Sequence, residues 1–353
     1  LIGGYAPWLF LIGFSVIVIT GDLLLPQDYS INDRSSSFIY NIFLYINLPL
    51  VIIMVFLVVY CLSPSNLPAI NKFIEWVIGI DIASSKSNIT FFQAISYLEL
   101  SGLFTGAMAT NIGHELTHRK RSWFDMFIGN WLLAFTWDCT FAIEHVYGHH
   151  KNVGLSHDPA TAKREQGLYH FIFSATYKEH RDALSLEQKH LLRKGYSFFS
   201  LNNKMLTGYA RSILLTSIAY LVGGYIGVVI FLINALIGKL VLEVTNYMEH
   251  YGLIRVEGQP VMPRHSWNTN RVFSSYLLFN LTRHSSHHER ANLEYWNLRP
   301  YRSAPELPLG YLTSLYILVF FPYIFRWIMK KQLQHWDNSF ASKGELEILG
   351  KLA

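Results

Sequence analysis

Apolar residues in this chain gather into long runs, and the runs predict helices. Residues 5–25, "YAPWLFLIGFSVIVITGDLLL", form the first. Residues 38–62 form the second, and 89–113 a third that leads straight into His114. Each is close to the roughly 20 residues that carry a helix across a bilayer core. A fourth block, 213–244, is too long for one span. Gly223-Gly224 near its middle offers a turn, so it reads as a hairpin of spans 213–227 and 228–248. Helices of soluble proteins rarely stay apolar all round for this long. The expected fold is therefore an all-α integral membrane protein, one domain over 1–353 with about five transmembrane helices. A polar helical cap is expected from 114–210 and 249–353. The chain opens on Leu1 at once into an apolar run, which suggests a sixth span before it.

Composition sharpens this picture. Only 15% of residues are charged, against about 25% in ordinary soluble domains. Cys61 and Cys139 are far apart in apolar runs, and no C-x-x-C pair is present. They read as packing residues, without a disulfide framework or a cysteine-ligated iron–sulfur centre. Ten Lys or Arg lie between Lys151 and Arg211. By the positive-inside rule they mark the cytoplasmic face, and no basic-aromatic motif points to nucleic acid.

The histidines carry the chemistry. Of 15, nine fall in four clusters: His114 and His118; His145, His149 and His150; His250; and His284, His287 and His288. Spacings of three and four residues set imidazoles on one face of a helix. His157, His170, His180, His190, His265 and His335 lack this clustering and read as surface or loop residues. His157 and His265 remain candidates for a supporting or substrate-side place. If the clusters build one site, they meet on one side of the membrane. The segment 123–143, with Asp125 and Asp138, must then lie at the interface, and 309–327 is read the same way.

His114-Glu115-Leu116-Thr117-His118 is a literal H-E-x-x-H, which alone would suggest a zinc protease with Glu115 as base. A zinc hydrolase needs three protein ligands and one open position. Nine imidazoles suit two metals with four or five ligands each. The sequence leaves their division open; one split puts His114, His118, His145 and His149 on one metal and the other five on the second. Imidazole accommodates zinc, copper, iron or nickel, but zinc has no redox chemistry, whereas iron activates O2. Glu115, Glu144 and Glu249 each neighbour a candidate ligand and point about 100° away from it, so they read as carboxylates that orient an imidazole N–H or hold a basic neighbour. Trp8, Phe10 and Phe14 are candidates for limiting a chain-shaped substrate cavity, with lipid-facing or packing roles as the alternative.

The stretches "NIGHELTHRK", "EHVYGHH", "HDPATAKREQGLYHF", "NYMEHYGLIR", "HSWN" and "LTRHSSHH" resemble the membrane-bound, histidine-rich di-iron hydroxylases and desaturases. The likeness is to the alkane hydroxylase and xylene monooxygenase branch. It implies terminal methyl hydroxylation of a medium-chain alkane or related hydrocarbon, two iron ions held by the nine histidines, and O2 as co-substrate. It implies rubredoxin or an iron–sulfur flavoprotein reductase as electron donor. The location would be a bacterial inner membrane, with the metals on the cytoplasmic side. Asp158 matches an acidic family position that holds the cluster-two loop. "KNVGLSHDPAT" departs from the alkane hydroxylase pattern, and "LRPYRSAPELP" and "HWDNSFASKGELE" lean toward the xylene relatives. A methyl-aromatic substrate, a lipid desaturase or hydroxylase, an intramembrane zinc protease and a metal carrier stay open as alternatives.

Overall fold

The computed structural model describes residues 5–31 and 38–352. The expectation attached to Leu1 lies outside them. The described residues are helical throughout their ordered elements, with two isolated β-bridges, Gln27 to Arg271 and Asn268 to Glu306. Three helices are long and apolar enough to cross a membrane: Ala6–Leu24, Phe38–Leu62 and Lys204–His250. Their outward side chains, among them Leu9, Ile17, Ile53, Leu221 and Leu236, are apolar and exposed, which suits lipid as the surrounding solvent. The third apolar run forms three pieces without a gap: Phe91–Thr105, a π-turn Gly106–Thr110, and Asn111–His118. Thr90 starts it with a reciprocal capping box to Gln93.

Lys204–His250 is not one rod. Gly224 sits at φ 61, ψ −153, a region open essentially to glycine alone. A Cβ added at Gly227 would run into the Ala219 carbonyl, so the two arms fold back on each other. Gly208 packs on Cys139 and Gly238 on Thr136. In a straight helix those glycines would be about 45 Å apart at 1.5 Å per residue. The chain turns at Gly224.

The segment 123–143 breaks early. Trp123–Ala134 has 12 residues and is about 18 Å long, short of a core of about 30 Å. Trp137 then takes a positive φ of 55. Asp125 accepts from the Tyr45 hydroxyl at 2.5 Å, and Asp138 from Lys239 at 2.7 Å. The run 309–327 is likewise split, into Tyr311–Phe320 and Pro322–Ser339. Pro322 has no N–H to continue a helix and holds Phe321 at φ −138, ψ 60.

Two apolar cores support the histidine region. One joins Trp267, Tyr247, Tyr251, Met329 and Trp336; the other joins Ile112, Leu116 and Leu132 to Val55, Phe135 and Phe231. The C-terminal helix Lys343–Leu352 docks through Glu345, whose side chain is 1% exposed.

Candidate metal centre

Four separate helical segments bring all nine clustered histidines together. Their ring nitrogens sort into two sets, His114, His118, His145, His150 and His287 in one, and His149, His250, His284 and His288 in the other. The expected division is corrected here: His149 and His150 exchange places, and His287 joins the first set. The reason is local. Residues His145–His149 form a π-turn, and the His150 N–H reaches back to the His145 carbonyl. A π-turn closes over five residues instead of four. His145 therefore faces the same way as His150, and His149 turns toward the second set.

In the first set, neighbouring Nε2 atoms close a ring. His114 to His145 is 2.9 Å, His145 to His150 is 3.1 Å, His150 to His287 is 3.0 Å and His287 to His114 is 2.8 Å. Metal–imidazole bonds of about 2.0–2.1 Å put adjacent nitrogens about 2.9 Å apart when they meet at right angles. The His118 Nε2 is buried without a partner, and its ring stands 4.6 Å from that of His150. The five nitrogens thus fit four ligands around a metal with His118 as a fifth.

In the second set, the His284 Nε2 lies 3.1 Å from the His250 Nε2 and 2.8 Å from the His288 Nε2. The His149 Nε2 is buried and unpartnered. Two protons are assigned by their acceptors: His149 Nδ1 faces Asp158 at 2.9 Å, and His250 Nδ1 faces the His265 carbonyl at 3.2 Å. Each bond leaves Nε2 as a bare lone pair aimed into the set. Glu249 Oε2 stands 3.1 Å from the His284 Nε2, while its Oε1 accepts from the Tyr311 hydroxyl at 2.5 Å. The two sets adjoin, the His150 and His288 rings being 4.4 Å apart.

Electrostatics keep these rings in the metal-binding form. Burial first, then neighbouring imidazoles, hold His145, His150, His284 and His288 well below the ordinary histidine pKa. Burial, followed by His149, brings His287 down to about 3. Neutral imidazole is the ligand form.

The carboxylates divide. Asp158 supports His149 and accepts from the Thr161 hydroxyl at 2.6 Å. Glu249 stands at the second set. Glu115 instead accepts from Arg119 at 2.6 Å and from the Tyr295 N–H at 3.3 Å. Glu144 packs under Gly148, with its Oε1 unpartnered. Burial, then Glu179 and Asp158, raise its pKa well above the ordinary value.

Beside both sets opens an apolar cavity. His114, His145 and His284 form part of its wall, and Leu103, Leu278 and Leu312 are among its apolar lining. Trp8, Phe10 and Phe14 are not among its lining residues. Phe10 and Phe14 pack on Phe104, and the Trp8 indole donates to the Phe92 carbonyl.

Sequence reasoning missed Tyr311, Asn246 and Glu345. Asn246 is four residues before His250 and on the cavity wall, a spacing that was available to find it. His265 is buried, and its Nδ1 accepts from the Met262 N–H, so its Nε2 donates to Glu345 at 2.7 Å. Burial opposes ionisation of Glu345, but hydrogen bonds from His265, the Ser342 N–H and Arg264 outweigh it and hold the carboxyl at about 2. His157 lies outside both sets.

A family model described as fatty acid desaturase matches residues 90–316. Alkane 1-monooxygenase 2 of Alcanivorax borkumensis is 37% identical over 68% of this chain and 64% of its own length. Alkane 1-monooxygenase of Pseudomonas putida is 33% identical over 74% of this chain and 65% of its own. The chain thus spans a little under two thirds of these two relatives. The xylene/toluene monooxygenase hydroxylase component of Pseudomonas putida is 30% identical over 98% of this chain and 88% of its own length.

Proposed function

Because the chain belongs to the fatty acid desaturase family, we propose that it is a membrane monooxygenase that hydroxylates the terminal methyl of a medium-chain alkane or related hydrocarbon. The observation that carries this reading is the union of two all-imidazole sets with an apolar cavity on which three of the histidines open. Imidazole sets accept several metals. Iron is the choice that matches an oxidation of hydrocarbon, the activity in the relatives' names. One iron would be held by His114, His118, His145, His150 and His287. The other would be held by His149, His250, His284 and His288, with Glu249 at its edge. Two bound irons would supply activation of O2.

The chain's own residues do the rest. Leu103, Leu278 and Leu312 give the substrate a dry wall and keep water from the reacting carbon. Asp158 and the His265 carbonyl fix the tautomers of His149 and His250. Tyr311 holds Glu249 against the second set. Five spans, the cap on the cytoplasmic face of a bacterial inner membrane, and an external donor of the rubredoxin or iron–sulfur flavoprotein class complete the proposal. A methyl-aromatic substrate is the second reading, favoured by the alignment to the xylene/toluene relative over 98% of the chain. The protease reading of H-E-x-x-H loses its base, since Glu115 is engaged by Arg119 and Tyr295.

The test is iron content of the purified protein, before and after anaerobic reconstitution, with hydrocarbon-dependent O2 uptake. About two irons per chain and uptake that requires substrate are expected. One tightly held zinc, no iron uptake and no oxygenase activity would defeat the proposal.

A further inference from the structure

Hydroxylation, if the reading above holds, follows R–H + O2 + 2 e⁻ + 2 H⁺ → R–OH + H2O. An external donor supplies the electrons. The protons must reach a site walled by buried neutral imidazoles and leucines. A polar cluster outside the metal sets lies on such a route. Lys239 Nζ is 2.7 Å from Asp138 Oδ2, 3.1 Å from Glu179 Oε2 and 2.6 Å from Glu243 Oε1. Asn246 then donates to Glu179 at 3.5 Å and to Glu243 at 3.4 Å.

The two ends of this cluster open on different spaces. Asp138 and Lys239 line a cavity of about 250 Å³, together with the exposed His180. Asn246 lines the apolar cavity onto which His114, His145 and His284 face. Between the ends, the Glu243 and Glu179 side chains are 0% and 7% exposed. With one ammonium among three carboxylates, the cluster has a surplus of acidic groups, one of which can take up and release a proton. Stability is a weak reason for its presence, since burying ion pairs gains little over apolar packing.

We propose that Asp138, Lys239, Glu179 and Glu243 form the proton entry path to the metal centre, with Asn246 as its inner gate. Protons enter at Asp138 and Lys239 from the outer cavity. They pass over the hydrogen bonds that link Lys239 to Asp138 at 2.7 Å and to Glu179 at 3.1 Å, within reach for transfer, and Glu243 Oε1 stands 2.6 Å from the same ammonium as an ion pair. Asn246 carries the polar chain to the cavity wall.

The test uses the iron-loaded protein with its electron donor and a hydrocarbon substrate. Glu243→Gln keeps size and loses the exchangeable carboxyl, and Asn246→Leu cuts the inner end without touching Lys239. Both should keep wild-type iron content. Turnover should fall about 10²-fold, the size expected for losing a positioned proton donor, and the solvent deuterium isotope effect on kcat should rise. Glu243→Asp should recover part of the rate. Unchanged turnover and isotope effect in both variants would overturn the proposal. So would loss of iron together with activity in both, which would make the cluster structural. If the iron-loaded wild type oxidises no hydrocarbon, the functional reading fails instead, and that failure is seen before any variant is made.

Discussion

His145 and His150 converge on one set, their Nε2 atoms 3.1 Å apart, although they stand five positions apart in the chain. Between them, His149 leaves that set and joins His250, His284 and His288. His149→Gln and His150→Gln should therefore remove ligands from different metals. Each variant should lose about one equivalent of iron. The iron that remains should give different Mössbauer or magnetic signatures in the two proteins. Identical residual spectra would contradict the division.

Asp158 holds the His149 proton at Nδ1. Carboxylates that orient a ligating histidine contribute about 10–100-fold to metal affinity. Asp158→Asn should weaken one of two binding steps by that factor in a metal titration and leave the other unchanged. An equal loss in both steps would place Asp158 outside a role specific to His149.

The metal-free protein should lose stability in acid. His287 titrates near 3 in the folded chain, lowered chiefly by burial, whereas unfolded histidine titrates near about 6.5. Between these values the unfolded chain binds more protons than the folded one, so stability falls as pH drops through about 6.5. His145, His150, His284 and His288 shift in the same direction. The metal-free melting temperature in detergent should be lower at pH 5.5 than at pH 8.

Gly224 occupies the turn of the membrane hairpin. Gly224→Ala forces a side chain into a backbone region that costs about 1–3 kcal/mol. Yield and melting temperature should fall. Gly13→Ala, with open space around its Cβ position, should change neither.

Leu103 lies on the apolar cavity, 11 residues before His114 on the same helical run, so about 16 Å from it along the axis. Leu103→Trp should shorten the space for a chain while leaving the metal sets intact. Product assays across alkane lengths should show kcat/KM falling for long chains and holding for short ones. Phe10→Leu, which disturbs only packing on Phe14 and Phe104, should leave the length profile unchanged.

The sequence by itself determined much of this protein. Apolar runs specify the long helices because a bilayer core and a helical rise leave few other solutions. Gly223-Gly224 marked the hairpin because a long apolar block must turn somewhere, and glycine tolerates the turn. The nine histidines were legible because imidazoles at helical spacing have few other purposes. What depended on position in space was hidden. The π-turn at His145–His149 re-sorts the clustered histidines by adding one residue to a helical turn, and no residue type announces it. Glu115 and Glu249 both neighbour a ligand in the chain, yet Arg119 and Tyr295 draw one away while Tyr311 presses the other against the second set. The cavity wall went to leucines from three distant segments instead of to Trp8, Phe10 and Phe14, because lining a cavity depends on which helix faces are left facing one another after packing. Lys239, Glu179 and Asp138 come from separate elements, and only the folded hairpin brings their charges within 3.1 Å.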